Sequence, residues 1–219
     1  MSFIDRSDAG RRLAQALLAY RDRRPVMLAL PRGGVPVAAE IAAALDAPLD
    51  LVLVRKIGVP DQPELAMGAV VDGGSPIVVR NEEVIQLTGV DEVEFNAIRD
   101  RELAEIERRR RTYLGNRSPA EVAGRTAIVV DDGVATGATT RAALRAIRLR
   151  GPARLMLAVP VAATDTLAAL REEADEVICL EHHTSFGAIG FYYADFRQIS
   201  DREVQDIVAC FPAGVASEA

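Results

Sequence analysis

Short apolar runs alternate with stretches of helical period along this chain, and that alternation restricts it to a narrow class of folds. Residues 26–30, 49–55, 125–130, 153–161 and 177–180 each read as a strand. Between them lie an opening helix from Ser7 to about Tyr20, with Leu13, Ala16, Leu17 and Tyr20 at helical spacing, and an Ala-rich helix over 35–45. A third helix ends near Leu149 and a fourth covers about 166–172. Parallel strands need a crossover connection, usually a helix, so this order predicts a mostly parallel, doubly wound sheet with helices on both faces, a three-layer α/β sandwich. A last helix opens on the capping-box pair Ser200 and Glu203, with Val204, Ile207, Val208 and Phe211 on one face, and the tail after Phe211 reads as disordered.

The alternation is interrupted once. Residues 58–76 are rich in Gly, Pro and Asp around a short apolar stretch, 65–71. An inserted helical segment follows at about 82–115, and within it 91–113 reads as one long charged helix. Its apolar residues Phe95, Ile98, Leu103, Ile106 and Tyr113 fall on one face. The run Arg108 to Arg111 could suggest nucleic acid, but Glu105 and Glu107 stand four residues before Arg109 and Arg111, which favours a solvated, salt-bridged face. With 219 residues, a single domain over 1–219 carrying this insertion is expected.

Charge and composition narrow the function by exclusion. A formal charge of -6 does not suit binding to nucleic acid or an anionic membrane surface. No apolar run approaches a membrane span and none near Met1 has signal-peptide length. Cys179 and Cys210 are far apart and in no CxxC arrangement, so two reduced, buried thiols in a cytoplasmic protein are expected. His182 and His183 are adjacent, a poor spacing for zinc.

The chemistry is concentrated in 127–140. Four apolar residues, Ala127 to Val130, form a strand, and Asp131 and Asp132 stand at its carboxyl end, where doubly wound sheets bind ligands. The small-residue turn Gly133-Val134-Ala135-Thr136-Gly137-Ala138-Thr139-Thr140 then opens a helix. Unpaired backbone N–H groups and the positive end of the helix dipole suit that turn to a phosphate, and its threonines add hydroxyl donors. The two acids can accept hydrogen bonds from a vicinal diol. Sugar hydroxyls at one end and a phosphate at the other describe a ribose 5-phosphate. The bland alternative is two turn acids before an ordinary helix start. Other phosphate and nucleophile motifs, GxxxxGK[ST], GxGxxG and GxSxG, do not occur.

An apolar strand, two acids and a small-residue loop ending T-G-x-T resemble the signature of the type I phosphoribosyltransferases, over about 26–180 and most closely in bacterial proteins with a similar inserted helix. The resemblance implies a protein that binds 5-phosphoribosyl-1-pyrophosphate (PRPP) with Mg²⁺ and transfers the phosphoribosyl group to a small nitrogenous acceptor, as in nucleotide salvage. Asp131 and Asp132 would then fix the ribose, and Gly133 through Thr140 the 5-phosphate. Arg32, Gly33 and Gly34, in the turn after the first core strand, would meet the pyrophosphate. Arg55 and Lys56 resemble the cation pair that precedes the lid of adenine-using members and would steady the leaving group, with 58–76 as the lid. Mg²⁺ would be held mainly by ligand and water, with Asp131 and Asp132 the protein's contribution. Phe186 and Asp195 lie in a stretch that faintly resembles the base-stacking segment. Ala135 occupies the position where members that use 6-oxopurines carry an aspartate. The inserted helix would be an insertion or a subunit contact in a homo-oligomer. The alternative on the same fold is a PRPP or nucleotide sensor without catalysis.

Overall fold

In a computed structural model of the chain, the structure describes residues 2–72 and 76–211. The opening helix α1 (Arg6–Leu17) tightens into a 3-10 turn (Leu18–Arg23) before β1 (Val26–Ala29). Then come α2 (Gly34–Leu45), β2 (Leu49–Leu51), β3 (Val54–Val59), β4 (Gln62–Val71) and β5 (Ile77–Arg80). The inserted helices are α3 (Glu82–Thr88) and α4 (Glu92–Leu114). The chain closes with β6 (Thr126–Val130), α5 (Ala138–Leu149), β7 (Arg154–Ala163), α6 (Thr164–Leu170), β8 (Glu176–His183), a 3-10 turn (Ile189–Tyr192) and α7 (Asp201–Ala209).

Five strands form a sheet in the order β2-β1-β6-β7-β8, every neighbouring pair parallel. β6 is central and wholly buried. Because successive residues of a strand face opposite sides, the sheet carries two cores. Met27, Ile128, Val130 and Met156 pack with α1, α2 and α7 on one side, and Leu28, Ala127, Val129 and Leu157 pack with Leu144 and Ile147 of α5 on the other. The strand order reverses between β1 and β6: the chain leaves β1 toward one edge and β6 toward the other. The loops after these two strands therefore flank the switch point, where an open α/β sheet has its crevice.

The expected single strand over 49–55 is two strands in two sheets. β2 ends at Leu51, and β3 pairs antiparallel with β4, which pairs with β5 in a separate three-stranded sheet. A continuous apolar run cannot disclose where a chain changes partners; the pairing of 54–59 with 62–71 decides it. The stretch 58–76 is thus largely strand, with Val59 and Gln62 closing a hairpin, and its residues 73–75 lie outside the described ones. So does the expected disordered tail beyond Phe211.

The long helix is present, with a capping box at Asp91 and Glu94. The anticipated surface pairs form, Glu105–Arg109 at 2.8 Å and Glu107–Arg111 at 3.4 Å. Arg110, however, reaches the buried Asp72 at 2.6 Å and ties α4 to the end of β4. The capping box of α7 also forms. The expectation of buried cysteines needs correcting: Cys179 is half-buried on the edge strand β8, and Cys210 is exposed at the end of α7. No helix among the described residues is long and apolar enough to cross a membrane.

Candidate active site

The two loops at the switch point touch each other. Leu30 continues β1 by one hydrogen bond, its N–H donating to the Val130 carbonyl at 2.9 Å, and the chain turns sharply through Pro31, Arg32, Gly33 and Gly34 into α2. A side chain at Gly33 would put its Cβ 2.0 Å from Asp132 Oδ2, and one at Gly34 would lie 2.6 Å from the Val130 carbonyl. Only hydrogen fits at either position, so the first loop lies directly on the acid pair. The Pro31–Arg32 peptide is cis.

The second loop is anchored rather than loose. Val134 bridges to β7, donating to the Val161 carbonyl at 2.9 Å and accepting from Ala163 at 3.0 Å. Thr166 Oγ1 donates to the Ala135 carbonyl at 2.6 Å. Gly137 has φ +72°, and a Cβ there would meet the Thr166 methyl at 2.6 Å, so conformation and space both call for glycine where α5 begins. Thr136 and Thr139 lie beside this helix start, both exposed, while Ala138 is exposed and Thr140 is buried.

Asp132 is buried, and Arg6 of α1 donates from Nε to its Oδ2 at 2.8 Å. Asp131 is half-buried, and its Oδ1 accepts from the Asp132 N–H at 2.9 Å. Burial, and after it the neighbouring Asp132 carboxylate, pushes Asp131 well above the ordinary carboxylate range.

A cover lies over this end of the sheet. Ile189 packs on Gly133, and Tyr193 donates its hydroxyl to the Asp132 carbonyl at 2.6 Å. Phe3 and Tyr193 join as a parallel bridge that binds the chain's beginning to the cover. Phe186 is in the cover, stacked on Tyr192 at 5.0 Å, and Tyr192 stacks on His183 at 4.7 Å. Asp195 is exposed, and its Oδ1 accepts from the Arg197 N–H at 3.0 Å.

On the other side a cleft of about 610 Å³ opens between the β3–β4 hairpin, α4 and the start of α5. Arg55 and Lys56 line it together with Glu64, Ile98, Arg101, Glu102 and Thr139. The structure thus brings Arg55 and Lys56 into one cleft with Thr139 at the start of α5. Both cations are engaged, Arg55 with Glu102 at 2.8 Å and Lys56 with Glu64 at 3.1 Å. Arg32 extends toward Asp201 of α7 at 3.5 Å, and Asp201 also accepts from the Tyr113 hydroxyl at 2.7 Å. Burial and that bond raise the Tyr113 phenol.

Arg6, Tyr193, Glu102 and Thr166 belong to this constellation without any sequence signal. Each enters through tertiary contact across 31 to 126 residues of chain.

Residues 5–196 match the family described as the phosphoribosyl transferase domain. The chain belongs to that family. A crystal structure of a Thermus thermophilus protein, TT1426, superposes with a TM-score of 0.85 at 40% identity, covering 96% of this chain and 99% of that one. Two Mycobacterium tuberculosis proteins, named provisionally as phosphoribosyl transferases, are 46% identical over 202 residues, 92% of this chain and 45% of each of theirs. The chain spans about half the length of those curated relatives. The family assignment agrees with the fold, an α/β sandwich around a parallel sheet, and makes the crevice between the β1 and β6 loops the candidate site of phosphoribosyl chemistry.

Proposed function

We propose that this domain binds PRPP with Mg²⁺ and transfers its phosphoribosyl group to a small nitrogenous acceptor, releasing pyrophosphate. The observation that carries the reading is the direct contact of Gly33 with Asp132. It sets a backbone turn, a pair of carboxylates and a helix start around one crevice. A ribose 5-phosphate with a pyrophosphate on C1 needs these groups in that order.

In this reading Asp131 and Asp132 accept from the ribose hydroxyls. The backbone from Gly133 to Thr140 takes the 5-phosphate, with Thr136 and Thr139 as accessible hydroxyl donors. Arg32, Gly33 and Gly34 meet the pyrophosphate from one side and Arg55 and Lys56 from the cleft. A nitrogen lone pair of the acceptor bonds to C1 as the C1–O electron pair leaves with pyrophosphate, and the acceptor's proton passes to the departing pyrophosphate or to solvent. Charge moves from C1 to the leaving group, so cations aimed at the pyrophosphate act mainly on the transition state. The β3–β4 hairpin, closing over the cleft, would exclude water from PRPP.

Among the described residues no cluster of three or more His, Cys, Asp or Glu could hold a metal ion. The acid pair offers two carboxylates, and Arg6 already occupies one oxygen of Asp132. That donor set fits a Mg²⁺ held chiefly by ligand oxygens and water, supplying charge neutralisation of the pyrophosphate.

Ala135 presents a methyl group and a carbonyl already taken by Thr166. The loop therefore supplies no side-chain acid or base to an acceptor. Glu64, which pairs with Lys56 in the cleft lining, is a candidate base by position. This argues for acceptors other than 6-oxopurines. The test is pyrophosphate release with PRPP and Mg²⁺ across adenine, uracil, orotate, hypoxanthine, guanine and xanthine at equal concentration. Turnover fastest outside the 6-oxopurines supports both points. Fastest turnover with a 6-oxopurine removes the argument from Ala135, and binding of PRPP without turnover of any acceptor favours a sensor.

A further inference from the structure

The second acid of the pair is held by a residue from the far end of the chain. Arg6 is the first residue of α1, and its side chain and that of Asp132 are each only 10% exposed. Its guanidinium makes three contacts at once. Nε donates to Asp132 Oδ2 at 2.8 Å, Nη1 donates to the Arg197 carbonyl at 2.8 Å, and the group lies 3.9 Å from the centroid of the Phe196 ring. The chain just before Arg6 and the cover are also joined by backbone. Ala194 and Asp195 donate to the carbonyls of Phe3 and Ile4, each at 2.8 Å. One side chain therefore spans the start of α1, the end of β6 and the cover at 193–197.

We propose that Arg6 is a positioning residue for the acid pair, which clamps the Asp132 carboxylate in one orientation and couples it to the cover segment at 196–197. This rests on the phosphoribosyl reading above. A buried ion pair is a weak source of stability, because desolvation offsets most of the attraction. What a planar, bidentate-capable guanidinium supplies instead is orientation. With Oδ2 fixed by Arg6 and Gly33 packed directly against the carboxylate, Asp132 holds its remaining acceptor capacity in a fixed direction. A carboxylate free to rotate would accept from a sugar hydroxyl only after losing that freedom on binding.

The experiment compares ribose 5-phosphate with 2-deoxyribose 5-phosphate by calorimetric titration of the wild-type chain, Arg6→Gln and Arg6→Lys. The deoxy sugar keeps the phosphate and lacks one hydroxyl. A hydrogen bond to a charged group corresponds to about tenfold or more in affinity, so the wild type should prefer ribose 5-phosphate by that factor. In Arg6→Gln the preference should fall toward one, while affinity for the deoxy sugar changes less than about twofold. Arg6→Lys keeps the cation, loses the planar fork, and should retain an intermediate preference.

If both sugars weaken equally, Arg6 is merely structural and the proposal fails; an unchanged preference in Arg6→Gln overturns it equally. Should Arg6→Gln not fold, the ratio in Arg6→Lys decides, and a full wild-type preference there overturns the claim of orientation. A wild-type chain that binds ribose 5-phosphate without preference overturns the proposal alone. A wild-type chain that binds neither sugar overturns the phosphoribosyl reading and this proposal with it.

Discussion

The two sides of the crevice are built on opposite physical terms. At the β6 end the framework is anchored: Asp132 by Arg6, the loop by its bridge to β7, Gly137 by Thr166, and the cover by Tyr193. At the hairpin end the cations are held only by exchangeable carboxylates, Arg55 by Glu102 and Lys56 by the exposed Glu64. A rigid half suits the part of a ligand that stays bound throughout, the ribose and its 5-phosphate. A half made of ion pairs suits a group that arrives highly charged and leaves, since each carboxylate can surrender its cation to a phosphate and recover it. The Lys56–Glu64 pair is exposed and costs the fold little when it opens, whereas Glu102 is buried and keeps Arg101 at 3.5 Å when Arg55 turns away.

The contrast can be broken most severely at Gly33. In Gly33→Val the new side chain would occupy the place of the Asp132 carboxylate. Binding of ribose 5-phosphate should fall by more than about a hundredfold, with a loss of about 1–3 kcal/mol of stability from overpacking. Calorimetry and denaturant unfolding check the two numbers. A variant that folds and binds normally would show that the first loop does not lie on the acid pair.

A smaller effect is expected in the cleft. Arg55→Ala should weaken pyrophosphate binding by about three- to tenfold while leaving ribose 5-phosphate unchanged, because one partly exposed cation among several is lost. Glu102→Gln should act the opposite way, strengthening pyrophosphate binding by less than about fivefold, since Arg55 no longer has to leave a carboxylate. Equal losses for both ligands in Arg55→Ala would erase the distinction between the two halves.

How much of this the sequence discloses follows from where the interactions lie. The β6 half is largely local: strand, acids, small-residue turn and helix start occupy consecutive residues, so chemistry and order can be read together. Gly33 and Gly34 could be placed by position after the first strand, although the contact of Gly33 with Asp132 spans about a hundred residues. The hairpin half is not local. Residues 49–55 form one apolar run, and nothing within it marks the change from the parallel sheet at Leu51 to an antiparallel partner at Val54. Arg6 is similarly silent, since a lone arginine in a first helical turn has no pattern until the fold brings it to Asp132. The charge run of α4 is readable for Glu105 and Glu107 but not for Arg110, whose partner Asp72 lies on another part of the chain.

The mildest expected effect is in the hairpin itself. The turn and the start of β4, residues 60–64, are exposed, whereas Met67, Val70 and Val71 are buried. If the tip moves as a lid, limited digestion with a nonspecific protease should cut within 58–66 and slow severalfold with PRPP and Mg²⁺. Cleavage that ignores the ligand would leave the hairpin a static wall of the cleft.

The central claim, that the acid pair and the loop after β6 hold a ribose 5-phosphate, is tested most directly by ligand-dependent melting of the wild type and of the Asp131→Asn, Asp132→Asn double variant. A ligand at about a hundred times its dissociation constant adds about 2.7 kcal/mol, roughly 5–10 °C for a chain of this size. The account predicts a rise of that order for the wild type with ribose 5-phosphate or PRPP and little or none for the double variant at the same concentration. An equal rise in both proteins would contradict it and remove Asp131 and Asp132 from the site.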